Sequence, residues 1–178
     1  GDELTQAEGY RHLVRMIRAG FESSCEFADP RHPRMVPMAT PTMLYEGVTP
    51  DARYDHAFID GNATYHVSGQ RGSAPLIEFS VYTGQTGLHP TNDTVSSLTE
   101  VDLEIGSDGR YAVVLSPDPQ PGNWLRTGPE ARRLFVRQYS GDWSKTRSAS
   151  YEIHCDGVDG AEPPLTLEDL ASEFGVSR

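Results

Sequence analysis

Hydrophobic positions along this chain change period once. Between residues 5 and 21 they follow a helical spacing: Tyr10, Leu13, Val14, Ile17 and Phe21 recur at i, i+3, i+4, i+7 and i+11 and make one apolar stripe. Thr5 and Glu8 stand at capping-box spacing, Gly20 lies near the end, and Pro30 and Pro33 prevent continuation. Arg11, Arg15 and Arg18 lie off the stripe and read as a solvated face, the alternative being a basic surface that docks a partner.

After residue 33 the pattern is that of strands. Pro37, Pro41 and Pro50 interrupt an extended segment around Thr42–Tyr45, which suggests edge or irregular pairing. Residues 53–59 and 62–68 flank Asp60-Gly61, a hairpin signal. Residues 75–82 alternate, with Ile77, Phe79 and Val81 on one side. Residues 101–105 and 110–115 flank Gly106-Ser107-Asp108-Gly109, a second hairpin signal, and 133–139 and 149–153 supply the last strands. Seven or eight short strands on this reading predict a mainly β fold, an antiparallel β-sandwich of jelly-roll-like form with an N-terminal amphipathic helix. Residues 83–99 read as a long polar loop, a length that often carries function. Glu162-Pro163-Pro164 reads as a linker into a short C-terminal helix, with Thr166 and Asp169 as a capping pair and Leu167, Leu170 and Phe174 on one face. The chain thus divides into a helix and connector (1–33), a β-sandwich domain (34–160) and a linker with a short helix (161–178).

A two-residue loop at Asp60-Gly61 fixes a register. Ile59 then pairs with Asn62, His56 with Tyr65 and Tyr54 with Val67, which sorts Tyr54, His56, Phe58 and Tyr65 onto one interior face. The other face pairs Asp55 with His66. A three-residue loop would instead set His56 opposite His66 as the start of a metal site, but it spoils the apolar face and no third ligand has a recognisable spacing. On the preferred register His56 is either a satisfied core histidine or, in an apolar pocket, a candidate base held neutral by burial.

Composition narrows the function classes. The 178 residues carry a formal net charge of −11, which disfavours nucleic-acid backbones and anionic membrane surfaces. No apolar run reaches membrane-spanning length and no signal peptide is visible, so a soluble, cytoplasmic protein is the expectation. Cys25 and Cys155 form no framework and no zinc spacing, and read as reduced thiols. Neither a nucleophile elbow nor a phosphate-binding glycine loop occurs. No metal or cofactor is therefore expected. Asn123 is placed to tie off loop backbone groups; Trp124 and Trp143 serve packing or stack on a sugar. Arg137 alternates with Phe135 and Tyr139, opposite Leu134 and Val136; it calls for a partner carboxylate or an anionic ligand if that face is inside and is simply solvated if it is outside, a structural ion pair being the preferred reading.

Several ordered pieces resemble a known group. They are Asp51-Ala52-Arg53-Tyr54 leading into Ala57-x-Ile59-Asp60-Gly61, Tyr65-x-Val67-x-Gly69, Asp108-Gly109 before an apolar strand, Asn123-Trp124-Leu125, and Arg137-x-Tyr139 ahead of Asp142-Trp143. Over residues 42–154 the chain resembles the bacterial and actinobacterial domains of unknown function twelve-fourteen, with their partner twelve-fifty-four. The resemblance implies antiparallel sandwich or jelly-roll domains with helical additions, supplies no catalytic residue, and implies longer relatives carrying a further C-terminal β-domain.

These readings lead to one expectation: a β-sandwich domain that binds a small, largely apolar ligand, with Tyr45, Tyr54, His56, Tyr65, Tyr82 and Trp124 as the lining. Its enzymatic version is a cofactor-independent lyase, isomerase or hydrolase with His56 as base. The alternatives are an interaction module that completes a larger or homo-oligomeric protein, and a carbohydrate-binding module using Trp124 or Trp143.

Overall fold

The computed structural model describes residues 1–43, 47, 49–85, 89–164 and 166–167. Helix α1 (Glu3–Phe21) is capped by Asp2, whose carboxylate accepts a hydrogen bond from the Thr5 backbone N–H at 2.8 Å. Asp2, and not Thr5, is therefore the cap; its charge also meets the positive end of the helix dipole. The helix runs on into a π-helical turn, Glu22–Glu26. Its sequence stripe faces outward: Tyr10, Leu13, Val14 and Ile17 are each more than half exposed, while Ala19 on the opposite side is buried.

Among the described residues nine strands follow: β1 (Val36–Pro37), β2 (Ala52–Phe58), β3 (Tyr65–Gln70), β4 (Leu76–Tyr82), β5 (Thr94–Thr99), β6 (Arg110–Ser116), β7 (Trp124–Arg126), β8 (Arg133–Tyr139) and β9 (Ser150–Cys155). They form a five-stranded sheet in the order β1-β2-β8-β4-β5 and a four-stranded sheet in the order β7-β6-β3-β9. Every pairing is antiparallel except β6 with β7. The fold is mainly β and sandwich-like, with an N-terminal helix and, among the described residues, no closed barrel.

Period-two alternation decides what fills the interior. Ala57, Ile77, Phe79, Val81, Leu134 and Val136 of the larger sheet meet Tyr65, Val67, Val113, Leu115, Leu125 and Ile153 of the smaller one. Removing a side chain of this size from water stabilises the fold by about 1.5–3 kcal/mol. One polar network closes the end of this core. The Tyr151 hydroxyl donates to the Asp55 carboxylate and accepts from Gln138 Nε2 at 3.1 Å. Burial pushes the Asp55 carboxyl above the usual carboxylate range, against the opposing effect of the Tyr151 bond.

The Asp60-Gly61 hairpin does not exist. β2 pairs with β1 and β8, whereas β3 pairs with β6 and β9, so the two strands belong to different sheets. Asp60 instead makes a local Asx turn, accepting from the Asn62 backbone N–H at 3.0 Å, and the chain crosses between the layers there. Gly61 is required by a close approach: a Cβ at this position would sit 1.7 Å from the Gly128 carbonyl oxygen. Ile59 N–H and Gly61 N–H bond the Arg132 and Ala131 carbonyls at 2.9 and 3.2 Å, which ties the crossover to the segment before β8.

The second hairpin fails for a related reason. Residues 101–105 form no strand; the strand lies earlier, at β5, inside what reads as loop, and it pairs with β4. Gly106-Ser107-Asp108-Gly109 is still a tight turn, with Gly109 at φ 80° and its N–H bonded to the Gly106 carbonyl at 2.8 Å. The alternation of Ile77, Phe79 and Val81 is as read, all three fully buried. No disulfide joins Cys25 to Cys155. The expected C-terminal helix, with Leu170 and Phe174, lies outside the described residues.

Gly61→Ala is expected to cost about 3 kcal/mol through that backbone collision, lowering the midpoint of thermal unfolding by about 6–12 °C. A thermal melt of the variant checks this. An ordinary turn glycine without the close approach would lose only a small fraction of that.

Candidate functional site

Strand register builds the site on the outer face of the five-stranded sheet. β8 lies between β2 and β4, with Phe58↔Arg133↔Tyr82, His56↔Phe135↔Ser80 and Tyr54↔Arg137↔Glu78 directly opposite one another. These residues alternate with the core residues Ala57, Leu134, Val136, Phe79 and Val81, so they point away from the sandwich interior. The face is nonetheless largely out of water: His56 is 2% exposed, Arg133 2%, Phe135 4% and Ser80 0%.

Phe135 is the centre of this grid. The guanidinium carbons of Arg137 and Arg133 lie 4.4 and 5.0 Å from its ring centroid. Tyr54 and Tyr82 approach it at 5.8 and 6.0 Å, the latter edge-on. Ring faces carry negative quadrupole charge, which lets two cations sit in a dry environment. Arg137 Nη1 pairs with Glu78 at 3.3 Å and its Nη2 donates to the Tyr82 hydroxyl at 2.9 Å. Glu78 Oε1 also accepts from Ser80 Oγ at 2.5 Å. Arg133 Nη2 reaches Asn92 Oδ1 at 3.4 Å.

His56 stands beside Phe135 and packs edge-on to Phe58 at 5.4 Å. Its Nδ1 is buried and has no hydrogen-bond partner among the described residues. Burial first, and the Arg133 charge second, push its pKa down to about 3, so the ring is a neutral imidazole at neutral pH. The segment after β4 flanks this end. His89 lies 6.5 Å from Phe58 and its Nδ1 accepts from the Gln85 backbone N–H at 3.1 Å. Gln85 is itself 4% exposed and its Oε1 has no partner among the described residues.

Of the residues singled out from sequence, Tyr54, His56 and Tyr82 come together here. Tyr65 does not: it points into the core, where its hydroxyl donates to the Pro30 carbonyl at 2.9 Å and accepts from the Asp60 N–H at 2.8 Å. The expected interior group of Tyr54, His56, Phe58 and Tyr65 is therefore split between the outer sheet face and the core, because β2 and β3 do not pair. Trp124 is on the other sheet, its indole N–H shared between Ser116 O at 3.2 Å and Ser116 Oγ at 3.1 Å. Tyr45 lies outside the described residues.

His56 and His66 are likewise in different sheets; His66 stands opposite His154. Asp55 bonds Tyr151 and not His66. Among the described residues no group of three or more His, Cys, Asp or Glu is placed to hold a metal ion. Asn123 acts as read, with its Oδ1 accepting from Glu104 N–H at 2.7 Å and its Nδ2 donating to Glu104 O and Ala112 O. Trp143 packs beneath the Arg53 guanidinium at 4.6 Å. Sequence reading missed Arg133, Phe135, Glu78 and Ser80 as members of the site. Their signal was the alternation Arg133-x-Phe135-x-Arg137-x-Tyr139, a strand whose non-core side is aromatic and cationic.

The fold and this face define a sandwich-like β protein with one aromatic, guanidinium-lined sheet surface. A crystal structure of an uncharacterised protein from Burkholderia cenocepacia is similar, with 32% identity and a TM-score of 0.89 over 98% of this chain and 48% of that one. The chain thus spans about half the length of that relative. A Vibrio parahaemolyticus protein aligns at 15% identity over 77% of this chain and 42% of its own, with a TM-score of 0.46. No family model and no curated protein matches the sequence. Among the described residues no helix is long and apolar enough to cross a membrane.

The His56 pKa gives a signed prediction. It is depressed from 6.5 to about 3 on folding, so between those values the unfolded chain binds a proton that the folded chain does not. Stability from this group is present above pH 6.5 and is lost as pH falls. His56→Gln removes the effect: between pH 7 and pH 5 the wild type should lose about 2 kcal/mol more than the variant. Urea unfolding of both proteins at the two pH values measures it, and equal losses would contradict a buried neutral imidazole.

Proposed function

We propose that this chain binds a small molecule with a flat, largely apolar body on the outer face of the five-stranded sheet. The observation that carries the reading is the unpartnered, buried Nδ1 of His56 beside the Phe135 ring. A sheet face turned away from the core has no folding reason to hold an unsatisfied imidazole there. A bound molecule would supply the missing partner and stack on the exposed edges of Tyr54 and Tyr82. Small-molecule sites are lined mainly by apolar and aromatic side chains with a few placed polar groups that fix orientation.

The same geometry supports binding better than general-base catalysis. An imidazole with a pKa of about 3 is a weak proton acceptor, far from the range that suits a base at neutral pH. Trp124, engaged with Ser116 on the other sheet, gives no support to sugar stacking at the aromatic face. The ordered motifs of residues 42–154 support, as part of this proposal, kinship with the twelve-fourteen group.

Backbone 15N shift mapping tests the reading. Indole, 3-phenylpropanamide and glucose, titrated into the full chain, are the probes. An aromatic probe is expected to perturb amides of 54–58, 78–82 and 133–139. Perturbations confined to the neighbourhood of Trp124, or none from any probe, would overturn the proposal.

A further inference from the structure

The hydrogen bonds that the site leaves unmade indicate the charge of its ligand. A guanidinium has five N–H donors. Arg137 spends one on Glu78 and one on the Tyr82 hydroxyl, and its side chain remains 21% exposed. Its other donors have no protein acceptor among the described residues. Tyr82 points the same way: its oxygen accepts from Arg137, so its own proton is left to donate, and the guanidinium bonded to the oxygen polarises the O–H and strengthens that donation. Glu78, the carboxylate opposite Arg137, takes both Ser80 Oγ and Arg137 Nη1 on its Oε1, which leaves its Oε2 against the remaining Arg137 N–H groups and the Tyr82 hydroxyl. Donors therefore outnumber acceptors at this end of the face, and one of them carries a full charge. An anion with two coplanar oxygens satisfies a guanidinium edge better than any neutral group.

The aromatic surface beside these donors is Tyr54, which stands directly opposite Arg137 in the strand register and is half-buried, whereas the Phe135 ring behind it is 4% exposed. A molecule that fits this corner carries a ring next to an acid. We propose that the ligand of this face is an aromatic carboxylate, its ring laid against Tyr54 and its carboxylate held by the Arg137 guanidinium and the Tyr82 hydroxyl. This assignment rests on the binding reading given above and adds the charge and the two residues that select it. The protein as a whole carries −11, so an anionic ligand is drawn in by these local donors and not by the long-range field.

The test compares 3-phenylpropanoate with its neutral isostere 3-phenylpropanamide, using shift titrations of the full chain as wild type, Tyr82→Phe and Arg137→Gln. In the wild type the carboxylate is expected to bind about tenfold more tightly than the amide, with shifts at 78–82 and 133–139. Tyr82→Phe should reduce that preference about threefold, and Arg137→Gln should abolish it. Tyr82→Phe removes a single hydroxyl, so it decides the matter even if Arg137→Gln fails to fold. Equal affinities for the two probes on this face, or a preference unchanged in Tyr82→Phe, would overturn the carboxylate assignment and leave the binding reading standing. If neither probe touches the face, both fall together.

Discussion

β8 is hydrogen-bonded along both of its edges. β2 and β4 each pair with it over seven residues, from Arg133 to Tyr139. This double pairing fixes which side chains become neighbours on the outer face, and the rest of the site follows from it. Side chains opposite one another in adjacent antiparallel strands have Cβ atoms about 5 Å apart. A shift of one residue in either pairing would turn Phe135 inward and Val136 outward. The interior residues resist that slip. Leu134, Val136, Phe79 and Val81 are fully buried, and reversing them would place four apolar side chains in the wrong layer. The core thus holds the site in register without touching it.

Two guanidinium groups in a nearly dry surface need compensation. Transfer of a charge from water is costly unless pairing or polarisable neighbours offset it. Here the compensation is shared: ring faces of Phe135 and Tyr82, the Glu78 carboxylate and the side-chain oxygen of Asn92 all contribute. His56 adapts in the opposite way, by giving up its proton. The result is a face on which charge, ring and neutral imidazole are fixed in place by the fold, which would reduce the ordering that the proposed binding requires.

Much of the local structure is legible in the sequence. The helical stripe of α1, the alternation of Ile77, Phe79 and Val81, and the backbone-tying role of Asn123 all follow from short-range patterns. Strand partnership does not. Asp60-Gly61 carries the chemistry of a reversal, yet its glycine answers to the Gly128 carbonyl, a neighbour distant in sequence. The misplaced partnership then misplaced Tyr65 and joined it to His56. Tyr54, His56 and Tyr82, which the sequence groups as an interior lining, do share one face, but it is the outer one. The β8 members escaped because a strand that reads Arg-Leu-Phe-Val-Arg-Gln-Tyr looks like an amphipathic edge until its neighbours on both sides are known. Likewise the apolar stripe of α1 predicts a packed helix, whereas its residues stand exposed.

The parity of β8 separates two kinds of change. Leu134, Val136 and Gln138 serve the interior, and Arg133, Phe135 and Arg137 serve the outer surface. Evolution can therefore rewrite one set while the other keeps the protein folded. Descendants of such a scaffold would diverge in what they recognise at odd-numbered positions of this strand and drift little at even-numbered ones. Ligand choice would then be adjustable along a single ribbon of seven residues.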